Sequence, residues 1–173
     1  YLALPLCEYV QTPFVTTLHG RLDIPQLRSV YAAHTSANLV SISNSQRTPL
    51  ADLSLNWVGT VYNGLNLARF RLNANPKGYL AFLGRISPEK GPDLAIEVAK
   101  AVDMDLRIAA KVDPIDRPYF EREIEPLLDH PRIHWVGQVD DDQKDEFLGN
   151  AAALIFPIRW PEPFGLTMAE AMA

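Results

Sequence analysis

The sequence is poor in the residues that would place it in several functional classes. It holds one cysteine in 173 residues, so no internal disulfide can form. Cys7 lies in an apolar stretch and reads as a small core residue rather than a nucleophile, in keeping with a reducing compartment. There is no basic excess. Lys and Arg number 16 against 21 Asp and Glu, a net charge of -5, which argues against general nucleic-acid binding. The longest apolar run, around Ala151 to Phe156, is far too short to span a bilayer. The first residues carry no basic region and proline interrupts their apolar stretch, so no signal peptide is read and a cytoplasmic location is expected. No Gly-x-Gly-x-x-Gly occurs, and the Gly-Lys-Ser/Thr order of a Walker loop is missing. His19, His34, His130 and His134 show no zinc spacing. Asp140-Asp141-Asp142 precedes a helical pattern, where aspartates cap and complement the dipole, and no further ligands converge on it, so no metal site is expected. Internal repeats and low-complexity tracts are also absent.

What is present is an alternation of strands and helices, with 47% apolar residues, enough for one good core or two partial ones. Residues 12–20 are β-branched and aromatic and read as a strand presenting His19 at its C-terminal end. Ile24, Leu27, Val30 and Tyr31 then recur at helical spacing, with Asp23 as cap and Pro25 in the first turn. Residues 38–43 form a second strand, followed by a short helix carrying Gln46 and Arg47. A third strand, 57–62, ends at the turn pair Asn63-Gly64. Residues 71–78 are polar and turn-rich and read as a linker. Beyond it come strands at 79–83, 106–110, 133–136 and 154–157, separated by helices at 92–102, about 118–128 and 142–148. Leu94, Ala95, Val98, Ala99 and Val102 are the expected inner face of the first of these helices, and Phe120, Ile124, Leu127 and Leu128 that of the second. Such repeated units predict α/β architecture with parallel sheets and right-handed crossovers. Both ends read as cut: Tyr1 is not preceded by methionine, and Ala171-Met172-Ala173 stops inside a helical pattern.

The chemistry is expected in the stretch from Leu154 to Glu170. An apolar strand ends at Pro157, Pro161 and Pro163 stiffen a loop, and Gly165 opens an alanine-rich helical segment. The amides of Gly165, Leu166 and Thr167 would lack intrahelical partners and, with the helix dipole, favour an anion. Yet Glu162 and Glu170 flank the same spot, Glu170 leaning back towards the helix start. A nucleotide sugar reconciles the two, offering phosphates to the amides and hydroxyl pairs to the carboxylates. The residues alone leave solvated surface glutamates as the commoner reading. A second loop, Gly84-Arg85-Ile86-Ser87-Pro88-Glu89-Lys90-Gly91, follows a strand and precedes a helix. It places two cations at a strand's C-terminal edge, where phosphates bind in open α/β sheets; arginine can grip phosphate oxygens bidentately and lysine adds a point charge.

Glu162-Pro163-Phe164-Gly165 with Glu170 resembles the two-glutamate signature of the large retaining glycosyltransferase family that includes glycogen and sucrose synthases and bacterial mannosyltransferases. The loop 84–91 is similar to that family's diphosphate-binding loop, and Asn63-Gly64-Leu65-Asn66 to its interdomain Asn-Gly-Ile-Asp turn. The resemblance covers nearly the whole chain and implies a GT-B fold: residues 1–70 as the end of an acceptor-side Rossmann-like domain and 79–173 as most of the donor domain, with the cleft between them. It implies transfer of a hexose from a nucleoside diphosphate sugar, such as UDP-glucose or GDP-mannose, to a sugar, lipid or small-molecule acceptor with retention, without metal or other cofactor. Arg85, Lys90 and the amides of Gly165, Leu166 and Thr167 would hold the diphosphate, Glu162 and His19 the donor sugar, and Glu170 the ribose. Arg47 reads either as a contact to acceptor or phosphate or as a surface salt bridge. Lys111-Val112-Asp113-Pro114 stands where many members have a glycine-rich turn near the base, so the base stays open. Two other classes also stay open, a nucleotide-sugar-binding module without turnover and a nucleotide-sugar epimerase of the same fold.

Overall fold

In the computed structural model, which describes residues 3–173, the β-branched and aliphatic runs pair into two parallel sheets. The chain divides into two compact units. The first runs to Gly64 and takes in Pro161–Gly165; the second comprises Leu65–Trp160 and Leu166–Ala173.

In the first unit β1 (Val15–Leu18), β2 (Asn38–Ser41) and β3 (Trp57–Thr60) lie in the order β1-β2-β3. Helix α1 (Pro25–Ala33) joins the first two strands, and Pro25, which has no N–H to lose, opens it. Leu4, Leu18, Leu22, Tyr31, Leu39 and Leu50 form the core beneath. Asp23 does not cap α1. Ile24 occupies the cap position, because the Asp23 carboxylate is taken by the Arg21 guanidinium at 2.8 and 2.7 Å. The short helix expected after β2 is a 3-10 turn, Ser45–Leu50, with Pro49 inside it.

In the second unit β4 (Tyr79–Arg85), β5 (Leu106–Lys111), β6 (Ile133–Gly137) and β7 (Ala151–Leu154) are ordered β6-β5-β4-β7. Helix α2 (Pro92–Ala101) follows β4. After β5 a short α3 (Arg117–Tyr119) widens into a π-helical turn, Phe120–Ile124, and tightens into a 3-10 turn, Glu125–Leu127. Pro126 explains the irregularity: it offers no N–H and crowds the carbonyl one turn back, so a regular α ladder cannot pass through it. Helix α4 (Lys144–Gly149) leads into β7, and α5 (Leu166–Met172) starts after Gly165, whose φ is +80°. Alternate residues of β4 serve two cores. Leu80 and Phe82 pack with α2 and Ile124, while Tyr79 and Ala81 pack with Phe147, as expected of a parallel strand covered on both faces.

Three expectations are corrected here. The buried face of α2 carries Pro92, Ala95, Ile96 and Ala99, whereas Val98 and Val102 are exposed; β4 and β5 draw the helix round by the side of Ile96. The last strand is Ala151–Leu154 rather than 154–157, because its register with β4 pairs Tyr79 with Ala151 and Ala81 with Leu154. Residues 71–78 are not a free tether: Arg71 N–H donates to Asp145 at 2.8 Å, Asn73 to Asn150 at 3.1 Å, and Lys77 N–H to the Asn150 carbonyl at 2.8 Å. The division therefore falls at Gly64, and Pro161–Gly165 count with the first unit.

Candidate functional site

The strand order creates the site in the second unit. From β4 the chain winds to β5 and β6 on one side, then returns to β7 on the other. Ligands of open parallel sheets bind outside the strands' C-terminal ends where the winding reverses, which here means beyond Arg85 and Leu154. Two segments meet there. The one after β4 makes a 3-10 turn, Pro88–Lys90, and passes into α2 through Gly91. The one after β7 runs through Pro157 and Trp160. Arg159 N–H donates to the Glu89 carbonyl at 2.8 Å. The Lys90 ammonium lies 5.1 Å from the Trp160 ring centroid and 6.0 Å from that of Phe156, within cation–π range. The apolar end of the stretch 154–170 and the cationic loop 84–91, read separately in the sequence, are therefore neighbours.

Arg85 ends β4 with its guanidinium among carboxylates. Glu89 is at 2.9 Å, Asp113 at 3.5 Å and Asp116 at 3.8 Å. Lys111, its register partner on β5, bridges Asp113 at 2.9 Å, and Lys111 and Arg85 hold the Asp113 carboxyl below the usual range. Ser87 is fully buried in the same loop, and its hydroxyl lacks a hydrogen-bond partner.

A further network was not legible in sequence. Arg159 grips Asp93, the second residue of α2, at 3.0 and 2.6 Å and reaches the Pro88 carbonyl at 3.2 Å. The Tyr119 hydroxyl donates to the same Asp93 carboxylate at 3.0 Å. Burial raises the Asp93 carboxyl, but the hydrogen bonds of Arg159 and Tyr119 outweigh it and hold it below its ordinary value. Burial and the neighbouring carboxylate push the Tyr119 phenol up. Acidic residues in a first helical turn are usually read as dipole complements, which is the only signal Asp93 gave.

On α5, Leu166 is exposed and Thr167 half-buried. Glu170, with 10% of its side chain exposed, accepts from Lys144 of α4 at 2.7 Å. Lys144 also bridges Asp141 at 3.0 Å, and Arg69 binds Asp141 and Asp142; the aspartate run is thus spent on ion pairs and on the turn before α4.

In the first unit, His19 is exposed directly after β1. Its loop is fixed by buried Gln46, whose amide donates to the Leu18 and Gly20 carbonyls at 2.8 and 2.9 Å and accepts from Ile42 N–H at 2.8 Å. Arg47 donates to Ser41 at 2.8 Å and to the Thr60 hydroxyl, with its guanidinium 4.9 Å from the Trp57 ring centroid. It joins β2 to β3 rather than forming the surface salt bridge considered for it. Glu162 is half-buried and Gly165 buried in Pro161–Gly165; between them the Phe164 ring packs 6.2 Å from that of Tyr62.

The profile of the family described as glycosyl transferases group 1 matches residues 66–173, more than half of the chain. An uncharacterized glycosyltransferase of Methanocaldococcus jannaschii is 24% identical over 168 residues, covering 93% of this chain and 46% of that protein. Sucrose-phosphate synthase from Thermosynechococcus elongatus superposes with a TM-score of 0.79 at 19% identity, over 99% of this chain and 50% of its own. S. aureus TarM, in a structure with Fondaparinux, alpha-GlcNAc-glycerol and UDP, gives a TM-score of 0.70 at 16% identity, over 91% and 34%. The chain thus spans half or less of the proteins it matches, and the structural likeness establishes the fold, two Rossmann-like units of GT-B type.

Proposed function

Because the chain belongs to the group 1 glycosyltransferases, we propose that its second unit binds the diphosphate of a nucleoside diphosphate sugar and serves transfer of the hexose to an acceptor with retention at the anomeric carbon. The observation that carries this is the placing of Lys90 and Arg85 beside the β4/β7 reversal. Departure of the diphosphate is the hard step, since the bonding electron pair leaves with it and adds a negative charge to a group that is already anionic. Preorganised cations aimed at that charge supply the largest catalytic contribution in such reactions. Lys90 offers its ammonium there. Arg85 exchanges carboxylate partners for phosphate oxygens, with the amides of Leu166 and Thr167 as further donors. With that charge met by protein groups, the reaction needs no metal.

Glu162 is assigned to the donor-sugar hydroxyls and to the positive charge developing on the ring, and His19 to a hydrogen bond with the sugar. Glu170 is assigned to the ribose diol. Lys144 binds its Oε1 at 2.7 Å and orients the carboxylate, so the second oxygen can accept from a hydroxyl. Arg47 is already committed to Ser41 and Thr60, which favours a structural role over an acceptor contact. That TarM was solved with UDP supports a nucleotide donor here.

The test is binding and turnover in the intact protein. A charge-assisted hydrogen bond is worth about 1.5–3 kcal/mol, so Arg85→Ala or Lys90→Ala should weaken diphosphate binding roughly 10- to 150-fold. Unchanged affinity in both variants removes the assignment. Product anomers resolved by NMR decide retention, and activity after exhaustive chelation decides metal independence. A free epimerised sugar formed without acceptor would favour the epimerase reading instead.

A further inference from the structure

Arg159 has no place in the chemistry above, yet its side chain ties the segment after β7 to the segment after β4. Its guanidinium spans Asp93 at 3.0 and 2.6 Å and the Pro88 carbonyl at 3.2 Å, and its own N–H holds the Glu89 carbonyl at 2.8 Å. The side chain grips Pro88 and Asp93 and the backbone N–H holds Glu89, and these three residues bracket Lys90 in sequence. The Pro88–Lys90 turn closes on itself through one backbone bond, Lys90 N–H to the Ser87 carbonyl at 3.1 Å. A single-turn 3-10 segment of that kind is weakly specified alone; the contacts from Arg159 fix its carbonyls from outside.

Resting on the diphosphate reading, we propose that Arg159 is a positioning residue: clamped on Asp93 and Pro88, it sets the turn from which Lys90 reaches the phosphates. Two features favour positioning over direct contact. The Asp93 carboxylate neutralises the guanidinium, and Tyr119 holds that carboxylate from a third element at 3.0 Å, so the arginine is committed within the fold. The planar fork of arginine also gives a fixed two-point geometry that lysine cannot reproduce. The backbones of the two segments are in contact as well, with a Cβ on Gly91 falling 2.3 Å from the Pro157 oxygen, so the turn has little slack once the clamp is closed.

The experiment titrates inorganic pyrophosphate into the intact protein by calorimetry, well below the unfolding temperature of each variant, together with steady-state kinetics. Arg159→Ala should raise the pyrophosphate Kd about 10-fold, the equivalent of one ordinary to strong hydrogen bond. Arg159→Lys, which keeps the charge but cannot bridge Asp93 and Pro88 together, should fall between. The donor KM should rise with them and the acceptor KM should not. A role in stability alone would lower the unfolding temperature and leave the Kd of the folded protein unchanged. If Arg159→Ala does not fold, Arg159→Lys carries the same comparison. Parent-like affinity in the arginine variants, with weakened binding in Lys90→Ala, overturns the positioning role and leaves the diphosphate site standing. Parent-like affinity in both Lys90→Ala and Arg85→Ala overturns the site itself.

Discussion

Gly91 and Pro157 approach so closely that a Cβ on the glycine would lie 2.3 Å from the proline carbonyl oxygen, and Gly91 has a φ of +66°. Both facts demand glycine, one sterically between segments and one within the backbone. The left-handed conformation alone costs a non-glycine residue about 1–2 kcal/mol, and the overlap adds to it. Gly91→Ala should therefore destabilise the protein by at least about 2 kcal/mol, read as a lower urea midpoint at unchanged slope. A parent-like midpoint would show that the two segments can separate freely.

Arg85 meets Asp113 and Asp116 where a phosphate is proposed to arrive. A carboxylate beside an incoming anion repels it. Asp113→Asn should tighten pyrophosphate binding two- to five-fold, roughly the size of an exposed charge-pair effect, and less so at high salt. Weaker binding in Asp113→Asn would instead mean that Asp113 orients Arg85 for its ligand.

Asp93 titrates below its ordinary value of 3.8 in the folded protein because Arg159 and Tyr119 overcome its burial. A carboxyl lowered by folding adds stability that is complete above the unfolded value and disappears as pH falls through the folded one. The Asp93 contribution should thus be intact at neutral pH and lost below about pH 4. Asp93→Asn should flatten that acid limb in denaturation curves taken across the range; an unchanged limb would assign it to other carboxyls.

Lys144 is the opposite case. Burial lowers its ammonium pKa, but Glu170 and Asp141 more than offset this and raise it above 10.5. Its contribution is present in full below that value and is lost as pH climbs through the folded one. Glu170→Gln should remove about 1–3 kcal/mol of stability at neutral pH, and the difference from the parent should shrink in strongly alkaline buffer. A constant difference across that range would leave the ion pair out of the balance.

Glu162 is proposed to touch the sugar and not the nucleotide. Glu162→Gln should cut turnover by about two orders of magnitude or more, as loss of a group acting on transition-state charge does, with nucleoside diphosphate affinity nearly unchanged. Collapse of that affinity would show that the roles of Glu162 and Glu170 are wrongly divided.

The strand–helix alternation was readable because β-branched runs bounded by turn residues have few other uses, and apolar spacing located the helical segments after β4 and β5. Boundaries failed where pairing decides. The alanines of Ala151–Ala153 could extend either a helix or a strand until β4 offered its edge, and Val98 and Val102 fit a helical stripe that the sheet does not meet. The cations of loop 84–91 were legible from their place between strand and helix, but their partners were not. Glu89 is close in sequence to Arg85, whereas Asp113 and Asp116 reach it through a neighbouring strand.

The sequence by itself determined residue types and their local order: a proline-stiffened Glu-Pro-Phe-Gly turn, a Gly-Arg to Lys-Gly loop, and parallel strands to hold them. Only the tertiary structure decided which side chains meet, as in the grip of Arg159 on Asp93 and of Lys144 on Glu170. The reason is physical. Backbone preferences and apolar periodicity act within one or two turns of chain, whereas an ion pair depends on the register and packing of elements far apart in sequence, which no local pattern encodes.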